Sequence, residues 1–420
     1  MHGTSRILGR ARFGLALVFL SVATVAMPAS AAPQAGGQSP WLQEPPPSGI
    51  KTIRILTPGG KPITQARAWV FDRPQSARKG RAQALAVEHG AVKIDLSKYE
   101  GVIVLVVESP GFGLSFERKW PSDKPNADFV MRPSTRVEGR LLLPNGRPAA
   151  GIRVFPTLLL NALQPPRPDA DESAATFAFL QLDDPKLRDR YTAVTGQNGR
   201  FTLRGLSQRF AARFDTDDTR FATFSMGTQV STSGHPVTAA PDIRLTRAAT
   251  IEGRVLQDGK PVGGVTIGCQ SDGGWGESIS DAAGRYRIER LVPGTYNVAT
   301  ALTVAQEDRF TASAHEAVVV RAGEHKVGFD FALIPGAVIK GRVTRADGSP
   351  AAGIPVGVYG PAHPKSGAWV QGTTADKNGY YRLRVPAGEQ FVFIPVKQYD
   401  QSRDVTVKDG EEQEVDFTVP

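Results

Sequence analysis

Four short stretches share one spacing of apolar and polar positions: GAVKIDL from Gly90, GRFTLRGL from Gly199, GRYRIERL from Gly284 and GYYRLRVP from Gly379. After each glycine an apolar side chain stands at the second and fourth positions: Val92 and Ile94, Phe201 and Leu203, Tyr286 and Ile288, Tyr381 and Leu383. Polar residues stand between them. A period of two predicts a strand with one face on a core and the other in water. Just before three of them, QNG, AAG and KNG supply the positive-φ positions of a tight hairpin turn.

Two further landmarks recur in the same order. Gly60-Lys61-Pro62, Gly146-Arg147-Pro148, Gly259-Lys260-Pro261 and Gly348-Ser349-Pro350 each follow a short apolar strand, and three of those strands read VEGRLLL, IEGRVLQ and IKGRVTR. Each unit closes on an acidic residue and an alternating strand, at Asp128, Asp242, Asp330 and Asp416. The recurrence predicts internal duplication in units too long for a solenoid and the right size for small domains. The expected organisation is a β-sandwich at 50–134, a second at 135–248 with an insertion at about 157–190, a third at 249–336 and a fourth at 337–420. Short alternating strands punctuated by Gly and Pro, with almost no helical periodicity, predict an all-β chain of four tandem antiparallel sandwiches, immunoglobulin-like or transthyretin-like. The few residues between one closing strand and the next opening strand, as in FALIPGAVIKGRV, predict a stiff string.

The N-terminus changes the picture of where the chain works. Arg6, Arg10 and Arg12, the apolar run FGLALVFLSVATVAM and Ala29-Ser30-Ala31 read as a cleaved export signal over 1–31, followed by a flexible leader over 32–49. The run is shorter than the ~20 residues a spanning helix needs, and no later segment is apolar enough to cross a membrane, so no membrane span is expected after cleavage. The mature chain is expected to be exported, to periplasm, cell surface or medium. Of the formal net charge of +9, three positive charges lie in the signal. The rest forms no run of like charges, which argues against a nucleic-acid partner. Cys269 is the only cysteine, so the sandwiches must be held by hydrophobic cores without disulfides.

The GR[VL] strand, the Gly-x-Pro turn, the G-R-[FY]-x-[LI] strand and Leu291-Val292-Pro293-Gly294-Thr295-Tyr296 together resemble the carboxypeptidase regulatory-like domain, a transthyretin-like sandwich also grouped with carbohydrate-binding-like folds. The third and fourth units match best; the first lacks both the GR strand and the aromatic after Gly90. The resemblance implies an accessory, non-catalytic sandwich, and it implies fold more strongly than ligand.

Motifs for chemistry are sparse. None of His89, His235, His315, His325 or His363 has a glutamate in H-x-x-E spacing, and H-E-x-x-H, C-x-x-C, G-x-S-x-G and the phosphate-binding G-x-x-x-x-G-K-[ST] are missing. No cofactor and no metal site is expected. The acidic stretches DADE from Asp169 and DTDD from Asp215 read as solvated loops rather than calcium loops, since neither has EF-hand spacing. Aromatics are the ligand-directed feature: Trp275, Trp369 and Tyr191 each stand eight to ten residues before a repeat glycine. Flat rings there can stack on sugars, although large aromatics are more often buried and would then cap the end of the sandwich as core. The sequence therefore points to a non-enzymatic binding or scaffold protein of the cell envelope with polysaccharide or an envelope protein as partner. Two alternatives are a partner or regulator of a secreted peptidase, and a hydrolase without recognisable motif.

Overall fold

A computed structural model describes residues 49–72, 81–99, 103–119, 126–161, 179–182, 184–208, 210–223, 229–231, 234–362, 371–394 and 401–420. The signal and nearly all the leader, most of the second-repeat insertion, the DADE stretch and Trp369 lie outside the described residues. The chain is nearly all-β, 59% strand and 3% helix, which excludes a parallel α/β architecture built on crossover helices. The described residues fall into two compact units, 49–247 and 248–420, each taken by itself below.

The recurring landmarks meet in one sheet. In the fourth repeat the opening strand Ala337–Arg345 pairs antiparallel with the glycine-led strand Tyr380–Val385. It pairs parallel with the closing strands Glu412–Glu414 and Phe417–Val419. The third repeat arranges Ala249–Gln257, Arg285–Leu291, His325–Lys326 and Phe331–Ala332 in the same way. The second uses Ser134–Leu142, Arg200–Ser207 and Val237–Arg244, and the first Ile50–Leu56, Ala91–Asp95 and Asn126–Val130. These sheets are thus mixed, with a parallel pair that a long return through a second, antiparallel sheet makes possible. In the fourth repeat that second sheet runs in the order Gln371–Thr374, Pro355–Tyr359, Gly388–Phe393, Ser402–Val407. Its inward Val356, Val358, Val392 and Val407 form one core with Ile339, Val343, Tyr381, Leu383 and Phe417 of the first.

Backbone geometry explains the repeat glycines. Gly199, Gly284 and Gly379 have φ of 74°, 71° and 83°, and each gives its carbonyl to the opening strand, at 2.8 Å from the N–H of Leu141, Val255 and Val343. A Cβ on any of them would lie 2.4 to 2.6 Å from that strand's own carbonyl. The GR glycine has a different reason: Gly139, Gly253 and Gly341 stand directly opposite Phe201, Tyr286 and Tyr381, whose rings lie over them. The phenols of Tyr286 and Tyr381 cross over to donate to the carbonyls of Phe329 and Val415, at 2.6 and 2.5 Å. In the first repeat the same pair is Ile53 and Val92, so glycine and aromatic are lost together as one aliphatic exchange. Arg54 nevertheless keeps the position next along the strand and pairs with the closing Asp128 at 2.7 Å.

Neighbouring repeats within a unit are packed, not strung. In 49–247, Gly113 to Ser115 of the first repeat lie against Gly205 to Ser207 of the second. Leu114 N donates to Gly205 O at 2.8 Å, Ser207 Oγ donates to Leu114 O at 2.7 Å, and Val106, Leu114 and Phe116 belong to the second repeat's core. In 248–420, Ala314 N of the third repeat donates to Pro361 O of the fourth at 2.6 Å, and Arg384 Nε donates to Asp308 O at 3.1 Å.

Candidate functional site

Trp275 is presented by the hairpin Thr266–Ser271 and Gly274–Ile279. Ser271 Oγ accepts from Gly273 N at 3.2 Å and donates to Gly274 O at 3.2 Å, which closes the turn. On the second strand Trp275, Glu277 and Ile279 are exposed while Gly274, Gly276 and Ser278 turn inward. A Cβ on Gly276 would stand 2.6 Å from Ile288, so the strand is pressed onto the core and the indole is directed outward. The strand forms one edge of a four-stranded sheet. Cross-strand register places Trp275 opposite Gln270 and Gln270 opposite Asn297, a row of one indole and two carboxamides on one face. Trp275 is 58% exposed, and Ile279 at 57% and Val319 at 49% are further large apolar residues exposed on this sheet.

Sugar rings carry apolar C–H faces and hydroxyl edges. An indole can cover the first, while carboxamides and the Glu277 carboxylate can bond the second.

The other aromatics stand differently. Tyr191 is 7% exposed, and its phenol donates to Glu108, which also accepts from Arg190. Burial and the Glu108 charge raise that phenol well above the ordinary range, so it remains a donor. Asp184 caps the short helix Pro185–Asp189 through Lys186 N at 2.8 Å, and this helix leads directly to Arg190 and Tyr191. The described end of the insertion therefore clamps the second repeat to the first. Beside the clamp a cleft of about 620 Å³ is lined by Arg67, Pro110, Phe112 and Leu114 on one side and by Arg190 and Arg204 on the other.

One aromatic cluster escaped the sequence reading. Tyr359 stacks on Phe393 with centroids 4.9 Å apart and planes 11° apart, and Phe391 lies 6.4 Å from Tyr359. Alternation against the buried Val358 and Val392 puts all three on the sheet face away from the core. The visible signal was the period-two pair Phe391 and Phe393, which is read as core when its partner strand is unknown.

Groups with catalytic potential are otherwise engaged. Cys269 is fully buried, and burial pushes its thiol up to about 12, which keeps it protonated. Asp217 pairs with Arg153 at 3.4 Å, Asp218 with Arg220 at 2.6 Å, and Asp215 accepts from Thr216 N at 2.7 Å. Among the described residues no three His, Cys, Asp or Glu side chains are grouped to hold a metal ion.

The model of the carboxypeptidase regulatory-like domain family matches residues 338–420, so the resemblance read from sequence is shown for the fourth repeat. No curated protein matches the chain. Among solved structures it is similar to the Bacillus anthracis TIE protein, at 8% identity over 88% of this chain and 74% of that one, TM-score 0.18. It is similar also to GBS52, the minor pilin of the Gram-positive pathogen Streptococcus agalactiae, at 15% identity over 41% and 94%, TM-score 0.22. BcpA, the major pilin subunit of Bacillus cereus, gives 10% identity over 68% and 99%, TM-score 0.18.

Proposed function

We propose that this chain is an exported, non-enzymatic protein of four tandem sandwiches that binds polysaccharide at the cell envelope. The observation that carries the reading is the exposed Trp275 in register with Gln270 and Asn297 on one sheet face. Indole and amides together match the two kinds of surface a sugar offers. The Tyr359, Phe391 and Phe393 cluster supplies aromatic surface in the fourth repeat, and Trp369 is assigned to the same role two residues before the strand Gln371–Thr374. Tyr191 serves the reading by fixing the joint between repeats through Glu108. Export rests on the 1–31 pattern, and among the described residues no helix is long and apolar enough to cross a membrane. The non-catalytic assignment is supported by the regulatory-like family match over 338–420.

The test is retention of residues 32–420 on a panel of immobilised polysaccharides, with Trp275→Ala beside it. Retention by at least one glycan, reduced by at least tenfold in the variant, is expected, since one stacking ring alone contributes about 1–1.5 kcal/mol. Retention by none, or equal retention of the variant, removes the polysaccharide reading and leaves an envelope protein, or a separately encoded peptidase, as the partner to seek.

A further inference from the structure

We propose that the cleft between the first and second repeats is a binding site for a carboxylate carried on an apolar group. Its two walls come from one compact unit: Arg67 opens the strand Arg67–Asp72 of the first repeat, and Arg204 lies in Arg200–Ser207 of the second. Three arginines and one carboxylate line the space. Glu108 is already held by Tyr191 and Arg190, with its side chain 13% exposed. Arg67 Nε stands 3.9 Å from Glu108 with its side chain 67% exposed. Arg204 is exposed and makes no ion pair with any described residue. The lining thus keeps an excess of positive charge over low-dielectric walls, which concentrates an anion there.

The chemistry of that anion follows from the rest of the lining. A guanidinium presents a planar fork that matches the two oxygens of a carboxylate. The lining also holds Pro110, Phe112 and the buried Leu114, apolar surface that a bare phosphate would leave unused. For the hydroxyls of a sugar acid the neutral side chains of the lining offer little beyond the Gln65 carboxamide, since the Tyr191 phenol is given to Glu108 and the Ser109 hydroxyl donates to Gln65 O at 2.9 Å. At about 620 Å³ the cleft has the size of a small-molecule site. The ligand is an apolar acid, supplied either by the C-terminal residue of an apolar peptide or by a free aliphatic acid. This site is separate from the Trp275 face and does not depend on the polysaccharide reading.

Calorimetric titration of residues 32–420 with N-acetylphenylalanine, its uncharged amide, octanoate, acetate and glucuronate tests the proposal, with Arg67→Gln and Arg204→Gln as variants. One of the two apolar acids is expected to bind at least tenfold more tightly than acetate, and the amide at least tenfold more weakly than N-acetylphenylalanine. Each variant should weaken the acid by roughly tenfold or more, the loss of one charge-assisted bond. Thermal unfolding should stay unchanged in both, since both side chains are exposed. A tighter N-acetylphenylalanine identifies a peptide end, and a tighter octanoate a free acid. The proposal is overturned if neither acid binds at millimolar concentration, if amide and acid bind equally, if both variants bind like the parent, or if glucuronate binds more tightly than both acids.

Discussion

At Gly341 the opening strand of the fourth repeat has no room for a methyl group. A Cβ there would lie 2.0 Å from Val415 O and 3.0 Å from the Tyr381 ring, and the same geometry holds at Gly253 with Phe329 O and Tyr286. Gly341→Ala therefore forces the closing strand away and lifts the ring off the phenol's acceptor. An overpacking cost of about 1–3 kcal/mol is expected. It should show as faster amide hydrogen exchange in Ala337–Arg345 and Glu412–Glu414, with Ile50–Leu56 of the other unit unchanged. Equal exchange in both strands would refute the reason given for the glycine. At this scale the sequence was partly legible. The glycine-led turns could be named because QNG, AAG and KNG are local chemistry. The GR glycine could not be explained, because its cause is an aromatic over thirty residues away, such as Tyr286 for Gly253. The first repeat looked degenerate for the same reason: Ile53 and Val92 are separate losses in a motif and a single exchange across a strand pair.

Between elements, the decisive groups sit where one repeat meets the next, and those were the least legible, since joints depend on residues no motif contains. Glu108 closes the strand Ile103–Glu108 as an unremarkable polar end in sequence, yet it anchors Tyr191 and Arg190 of the second repeat. The insertion was legible as extra length, whereas the use of its end as a clamp was not. The short helix Val304–Glu307 lies at the corresponding joint of the other unit, where Arg384 reaches the Asp308 carbonyl. Burial, with the charge of Asp308 beside it, raises the Glu307 carboxyl from 4.5 to about 7. Between those values the folded chain retains a proton that the unfolded chain has released. The contribution of Glu307 to stability is therefore full below pH about 4.5 and is lost as pH rises through about 7. Glu307→Gln mimics the protonated acid at every pH. Its melting temperature should match the parent near pH 4 and exceed it increasingly up to pH 7.5. A constant offset across that series would show that the carboxyl titrates in the ordinary range.

For the whole molecule, the all-β architecture was legible because period-two alternation and turn residues are local and were repeated four times. Its exposed aromatic surfaces were legible only where one residue stood out, as Trp275 does. Trp275 and the cluster of Tyr359, Phe391 and Phe393 belong to different repeats of one unit. A glycan chain long enough to engage both makes the second contact intramolecular, so its strength is set by effective concentration rather than by new contacts. Two weak sites then act as one tight one only on long or densely displayed chains. The consequence separates an avidity device from a single pocket. Trp275→Ala should weaken a short soluble oligosaccharide and the immobilised parent polysaccharide to different degrees, with at least a further tenfold loss on the polysaccharide. Paired measurements by calorimetry and by surface retention check this. Equal losses on both would mean that one site acts alone and that the remaining repeats serve as spacers.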